Sequence, residues 1–92
     1  MNFLLKINHF KKLKHINHLK DYSILKQKFG SHIRRIRESK GYSLLDVDFR
    51  CDLDESNISK IENGKVNIQL STIFELAKGL GVEAKELLDF KI

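Results

Sequence analysis

The tightest constraint on this chain is a gap of two residues. Asp52 and Leu53 alone separate a short helical segment, Leu44 to about Cys51, from Asp54, whose carboxylate suits it to cap the next helix. Two short helices must therefore meet through a tight turn. Ser43 followed by Asp46 offers the first of them an N-cap with an acid three residues on, the logic of a capping box with Asp in place of Glu. The second, opened by Asp54, holds Ile58 and Ile61, and Asn63-Gly64 supplies its stop.

The neighbouring segments carry helical periodicity. Tyr22, Leu25, Phe29, Ile33 and Ile36 fall within an arc of about 80° on a 3.6-residue helix, which predicts a first helix ending at Lys40-Gly41. In the short helix after Ser43, Leu44 or Leu45, Val47 and Cys51 are the expected buried residues. Leu70, Ile73, Phe74, Ala77 and Leu80 form the stripe of a fourth helix, stopped at Gly81. Val82 leads into a last short helix with Ala84, Leu87 and Leu88 turned inward. The absence of Pro and the scarcity of β-branched pairs favour helices over a sheet. The expected fold is all-α, a compact five-helix domain over residues 22–92 preceded by a basic N-terminal arm, 1–21.

Charge separates the two parts. The formal net charge is +5, yet residues 1–28 hold seven lysines against Asp21 alone, +6, while residues 29–92 hold ten Lys or Arg against eleven Asp or Glu, −1. A global charge argument for nucleic-acid binding therefore concerns the arm and hardly touches the domain. In the arm, Phe10, Leu13, Ile16, Leu19 and Tyr22 recur every three residues and drift around a helix, so the basic and apolar faces of a membrane-surface helix do not form. No apolar run approaches the roughly 18 residues of a membrane span, and Lys6, Asn8 and His9 interrupt any signal-like stretch. One cysteine, Cys51, can make neither an internal disulfide nor a cysteine-based zinc site, as suits a reducing cytoplasm, and it is expected in the core. His9, His15 and His18 have no carboxylate or thiol at ligand spacing, so no metal and no cofactor is expected. Catalysis is not expected either: the chain has no nucleophile with a nearby base, no paired carboxylates in a plausible cleft and no glycine-rich phosphate loop.

The residues themselves resemble a family. Phe29-Gly30 through Ile33, Arg34 and Ile36-Arg37, then Lys40-Gly41-Tyr42-Ser43, then Leu53 through Ile58-Ser59-Lys60-Ile61-Glu62-Asn63-Gly64-Lys65, then Leu76-Ala77-Lys78-Gly79-Leu80-Gly81-Val82 resemble the Xre/Cro-type helix-turn-helix DNA-binding domain of phage repressors and bacterial regulators. The resemblance covers roughly Phe29 to Leu88, and its most specific part is the run from Ile58 to Gly64. It implies that the third helix enters the major groove, with Glu55, Ser56, Asn57 and Lys60 at base edges. Ser43 and the backbone starting the second helix, with Asn63, Lys65 and Asn67 after the third, would grip phosphates. It also implies a largely buried ion pair between Arg37 and Glu62 that locks the reading helix to the scaffold.

Four positions depart from the family pattern. Leu44 stands where Gln is usual, Asp48 where a small residue is, Asp52 where Gly is common and Ile68 where Pro is frequent. Asp46, Asp48, Asp52 and Asp54 would surround the reading helix with negative charge and weaken non-specific DNA binding. The resemblance implies a cytoplasmic, sequence-specific regulator, a repressor, acting on double-stranded DNA as a homodimer. The C-terminal helix, with Leu87, Leu88, Phe90 and Ile92, is the candidate interface, burial of Leu87 and Leu88 within the monomer being the alternative. The alternative is an antitoxin-like module whose arm binds a protein partner and which also binds its own operator.

Overall fold

The structure, a computed structural model, describes residues 22–92. Those residues form five helices: α1 (Ser23–Ser39), α2 (Leu44–Arg50), α3 (Glu55–Glu62), α4 (Leu70–Leu80) and α5 (Ala84–Leu87). α1 packs on α3 and α5, α2 lies between α3 and α4, and α4 carries α5. The expected end signals are in place at the start of α2, at both ends of α3, and just past the ends of α1 and α4, where Gly41 and Gly81 take positive φ. Ser43 Oγ accepts from the Asp46 N–H at 3.0 Å while the Ser43 N–H donates to Asp46 Oδ2 at 2.7 Å, closing the capping box of α2. At the end of α3 the Gly64 N–H donates to Ile61 O and the Lys65 N–H to Lys60 O, a Schellman motif that Gly64 allows with φ of 69°.

Phe29, Ile33, Val47, Ile58, Ile61, Leu76, Ala77, Leu80 and Leu87 make one core shared by all five helices. At about 1.5–3 kcal/mol for each large aliphatic or aromatic side chain buried, this cluster is the main force holding the short helices, which are too short to persist alone. Cys51 joins it from the edge, its thiol donating to Val47 O at 3.3 Å, and burial raises the thiol pKa.

Three sequence expectations need correction. Tyr22 precedes α1 instead of lying within it: it is exposed and left-handed, with φ of 58°. In α4 the stripe is rotated. Leu70 and Phe74 are 71% and 59% exposed, while Ile73, Leu76, Ala77 and Leu80 face the core. The cause is Gly79, where an added Cβ would lie 2.8 Å from Val47 Cγ1 and 2.9 Å from Cys51 Sγ. That backbone approach to α2 turns α4 toward its Leu76–Gly79–Leu80 side. In the C-terminal helix, Leu87 is fully buried but Leu88 is exposed, because α5 ends at Leu87 after a single turn.

Candidate nucleic-acid interface

The eight residues of α3 divide by face. Ile58, Ile61 and Glu62 are buried, whereas Glu55, Ser56, Asn57 and Lys60 are all exposed. At 100° per residue Ser56 and Lys60 stand opposite the buried side, with Ser59 and Asn63 beside them. Ser59 is the member of this face that motif reasoning missed; its spacing from Ser56 and Asn63 was the available signal. Asn57 and Glu55 lie toward the two edges. Asn57 borders a shallow groove that it shares with Leu53, Val66, Asn67 and Thr72, so Asn67 faces the same opening.

The start of α3 is held by two acids. Asp54 Oδ1 accepts from the Asn57 N–H at 2.7 Å and Asp48 Oδ2 from the Glu55 N–H at 2.9 Å. Asp48, where the family resemblance leads to the expectation of a small residue, reaches from α2 to the N-terminus of α3 and holds it by a charge-assisted hydrogen bond. Both carboxylates sit at the positive end of the helix dipole, where negative charge is stabilising. Asp46 is likewise committed to its capping box, and the Ser43 hydrogen bonds lower its pKa. Asp52 offers its backbone N–H to Glu75 Oε1 at 2.9 Å, which ties the turn to α4. Three of the four acids near α3 thus hold helix ends. The same bonds occupy the Ser43 and Asp46 N–H groups, leaving those of Leu44 and Leu45 at the start of α2.

At the other end of α3, charge of the opposite sign gathers on one carboxylate. Glu62, whose side chain is 1% exposed, accepts from Arg37 Nε at 2.7 Å and Arg37 Nη2 at 2.9 Å. Arg37 is itself 13% exposed and also donates to Tyr42 O at 2.9 Å, so α3, α1 and the α1–α2 loop meet at a single guanidinium. The hydrogen bonds to Glu62 raise the Arg37 pKa against the opposing effect of its own burial. Arg34 adds a longer contact to Glu62 Oε1, 3.2 Å, and donates to Asn63 Oδ1 at 3.3 Å. The helices can approach this closely because Gly30 has no side chain; a Cβ there would collide with the carbonyl oxygens of Ile61 and Glu62.

The residues around the tip are placed unequally. Asn63 spends one amide proton on Ser59 O, 2.8 Å, and its oxygen on Arg34. Lys65 and Asn67 are exposed beyond it. Leu44, at the position of a usual Gln, packs on the core. Arg50 stacks over the Tyr42 ring, 4.2 Å from its centroid. His32 is engaged structurally, with Nε2 2.7 Å from Glu86 O and its ring against Phe90.

Two short helices meeting in a tight turn, the second braced from behind at both ends with an unpacked polar face outward, are the layout of a helix-turn-helix DNA-binding domain. The helix-turn-helix family profile matches residues 33–87, and the chain belongs to the Xre/Cro-type helix-turn-helix family of DNA-binding transcriptional regulators. It is 46% identical over 63 residues to control protein C.BamHI of Bacillus amyloliquefaciens, across 67% of this chain and 78% of that one. Its fold is similar to the crystal structure of the restriction-modification controller protein C.AhdI from Aeromonas hydrophila, with a TM-score of 0.69, 36% identity, and coverage of 73% of this chain and 97% of that one. The restriction-modification controller protein C.Esp1396I, solved as a tetramer in complex with its natural 35 base-pair operator, is similar at a TM-score of 0.63 and 31% identity, over 73% of this chain and 99% of that one.

Proposed function

We propose that this chain is the control protein of a restriction-modification system, a non-catalytic cytoplasmic repressor that sets α3 in the major groove of its operator. The observation that carries the reading is the outward face of α3, whose polar side chains have no packing role while the opposite face is buried to the last residue. Lys60 suits guanine O6 and N7, Asn57 suits adenine N6 and N7, and Glu55 can accept from cytosine N4, with Ser56 between them. Ser43, which keeps its hydroxyl proton to donate, flanks one side as a phosphate contact; Asn63, Lys65 and Asn67 flank the other. The similarity to C.BamHI, C.AhdI and C.Esp1396I supports the restriction-modification role.

A homodimer would place two α3 helices about 34 Å apart on a palindromic site. Exposed Leu70, Phe74 and Leu88 offer the apolar surface such a dimer needs, with Ile92 exposed nearby in sequence; Leu87, buried, and Phe90, packed on Phe29, serve the monomer. The basic arm lies outside the described residues, and we assign it phosphate contacts beside the main site or a protein partner. Nuclease footprinting of the purified chain on the DNA upstream of its own gene tests the reading. A two-fold symmetric footprint is expected, and equal affinity for random duplex would overturn it. Lys60→Ala should cost about 1–3 kcal/mol on the cognate site and relax its sequence preference; an equal loss on random DNA would remove Lys60 from base reading.

A further inference from the structure

Glu62 carries two guanidiniums, and they do different work. Arg37 satisfies both carboxylate oxygens and is largely buried, so this pair is electrically complete without help. Arg34 holds the same carboxylate at a longer 3.2 Å and its side chain remains 45% exposed. The cluster of two arginines and one glutamate therefore bears a surplus positive charge, and that charge sits on Arg34, at the solvent boundary beyond the end of α3.

Its position is not arbitrary. Asn63 Nδ2 donates to Ser59 O at 2.8 Å and reaches Ser59 Oγ at 3.4 Å, and Arg34 Nη2 donates to Asn63 Oδ1 at 3.3 Å. Ser59 and Asn63 belong to the outward face of α3 that also carries Ser56 and Lys60, so this hydrogen-bonded row extends the reading face from α3 onto α1. A guanidinium has five N–H donors. Those of Arg34 engaged here are Nε and one on Nη2; among the described residues the other three meet no acceptor.

We propose that Arg34 is a preset phosphate clamp: a guanidinium held by Glu62 and Asn63 so that its open N–H groups meet a backbone phosphate where the end of α3 leaves the groove. The inference rests on the DNA-binding reading above and deepens it by naming a contact that no motif assigned. Tethering at two points removes rotamer freedom before binding, so the contact forms at a smaller entropic cost than one made by a lysine such as Lys65. Arg34 acts on the duplex alike for every sequence, because a phosphate carries no base identity.

The test is the salt dependence of binding, measured by fluorescence anisotropy of the full chain on its operator and on a random duplex from about 50 to 200 mM salt. Arg34→Gln should weaken both duplexes by the same factor and reduce the slope of log K against log salt by about 0.9, the loss of one neutralised phosphate. Over that fourfold range of salt the ratio of wild-type to variant affinity should shrink about threefold. Arg34→Lys, which restores the charge, should restore the slope. Circular dichroism melting checks that Arg34→Gln is folded, as expected with both Arg37 bonds to Glu62 kept; Arg34→Met, which keeps the aliphatic stem, repeats the measurement if Gln is not tolerated. Weaker binding with an unchanged slope would make Arg34 only a brace for α3 and overturn the proposal. A loss confined to the operator would overturn it too, in favour of base reading. Should the wild-type chain lack any operator preference, the regulator reading fails on its own, while the slope on random duplex still decides Arg34.

Discussion

The two ends of α3 are held by opposite chemistry. At its start, Asp48 and Asp54 accept backbone N–H groups; at its finish, Arg34 and Arg37 converge on Glu62. The acids match the positive end of the helix dipole, and the two arginines offset the Glu62 carboxylate that stands at its negative end. They differ in what they join: Asp48 ties the first turn of α3 to the short α2, while the arginines join α3 to the longest helix and to the α1–α2 loop. An eight-residue helix cannot sustain itself in water. Its place is therefore set by the buried Ile58 and Ile61 together with the ties at its two ends, of which the C-terminal one holds a buried charge.

That contrast can be broken by substitution. The largest effect is expected for Glu62→Ala, which strands the buried Arg37 charge and should cost about 3–5 kcal/mol, a fall in Tm of more than about 10 °C; an unchanged melting curve would mean the C-terminal anchor carries no weight. Gly30→Ala comes next. Its Cβ would force α1 away from the Ile61 and Glu62 carbonyls, for a loss of about 1–3 kcal/mol by denaturant unfolding. Asp54→Ala, at the opposite end, should cost about 1 kcal/mol in the same assay, and a loss equal to that of Glu62→Ala would erase the difference between the two ends.

The smallest effect concerns pH. The Ser43 hydrogen bonds lower the Asp46 pKa in the folded state, so their stabilisation is present above the ordinary aspartate value of about 3.9 and is lost as pH falls through the lower folded value. Melting temperatures of the wild type and Asp46→Asn should therefore differ at neutral pH and converge in acid strong enough to protonate the folded Asp46 carboxylate. A gap that persists at low pH would assign the difference to something other than the carboxylate.

Much of the frame was legible beforehand. Ser43-x-x-Asp46, Asp54, Gly41, Gly64 and Gly81 mark helix ends through hydrogen bonds that span three to five residues, so the sequence neighbourhood contains both partners. Leu70 and Phe74 misled because a hydrophobic stripe reports which residues could be buried and says nothing of how close the neighbouring backbone comes. Gly79 carried that information, but only contact with Val47 and Cys51 gives it meaning. Asp48 departs from the small residue that the resemblance implies, and only the nearby N–H of Glu55 gives its carboxylate a role as a cap. The pairing of Arg37 with Glu62 came from family resemblance, since nothing in the spacing of two residues 25 apart brings them together.

The sequence by itself determined the order of the five helices and those of their ends that caps and glycines mark, which face of α3 is polar, and that the two short helices meet in a tight turn. Those are short-range matters, settled by caps, glycines and periodicity. Only the tertiary structure decided the rotation of α4, the exposure of Leu70, Phe74 and Leu88, and the gathering of Arg34, Arg37 and Asn63 around Glu62. The physical reason is distance along the chain: burial of a charge and approach of two backbones depend on groups that the sequence keeps apart and only packing makes neighbours.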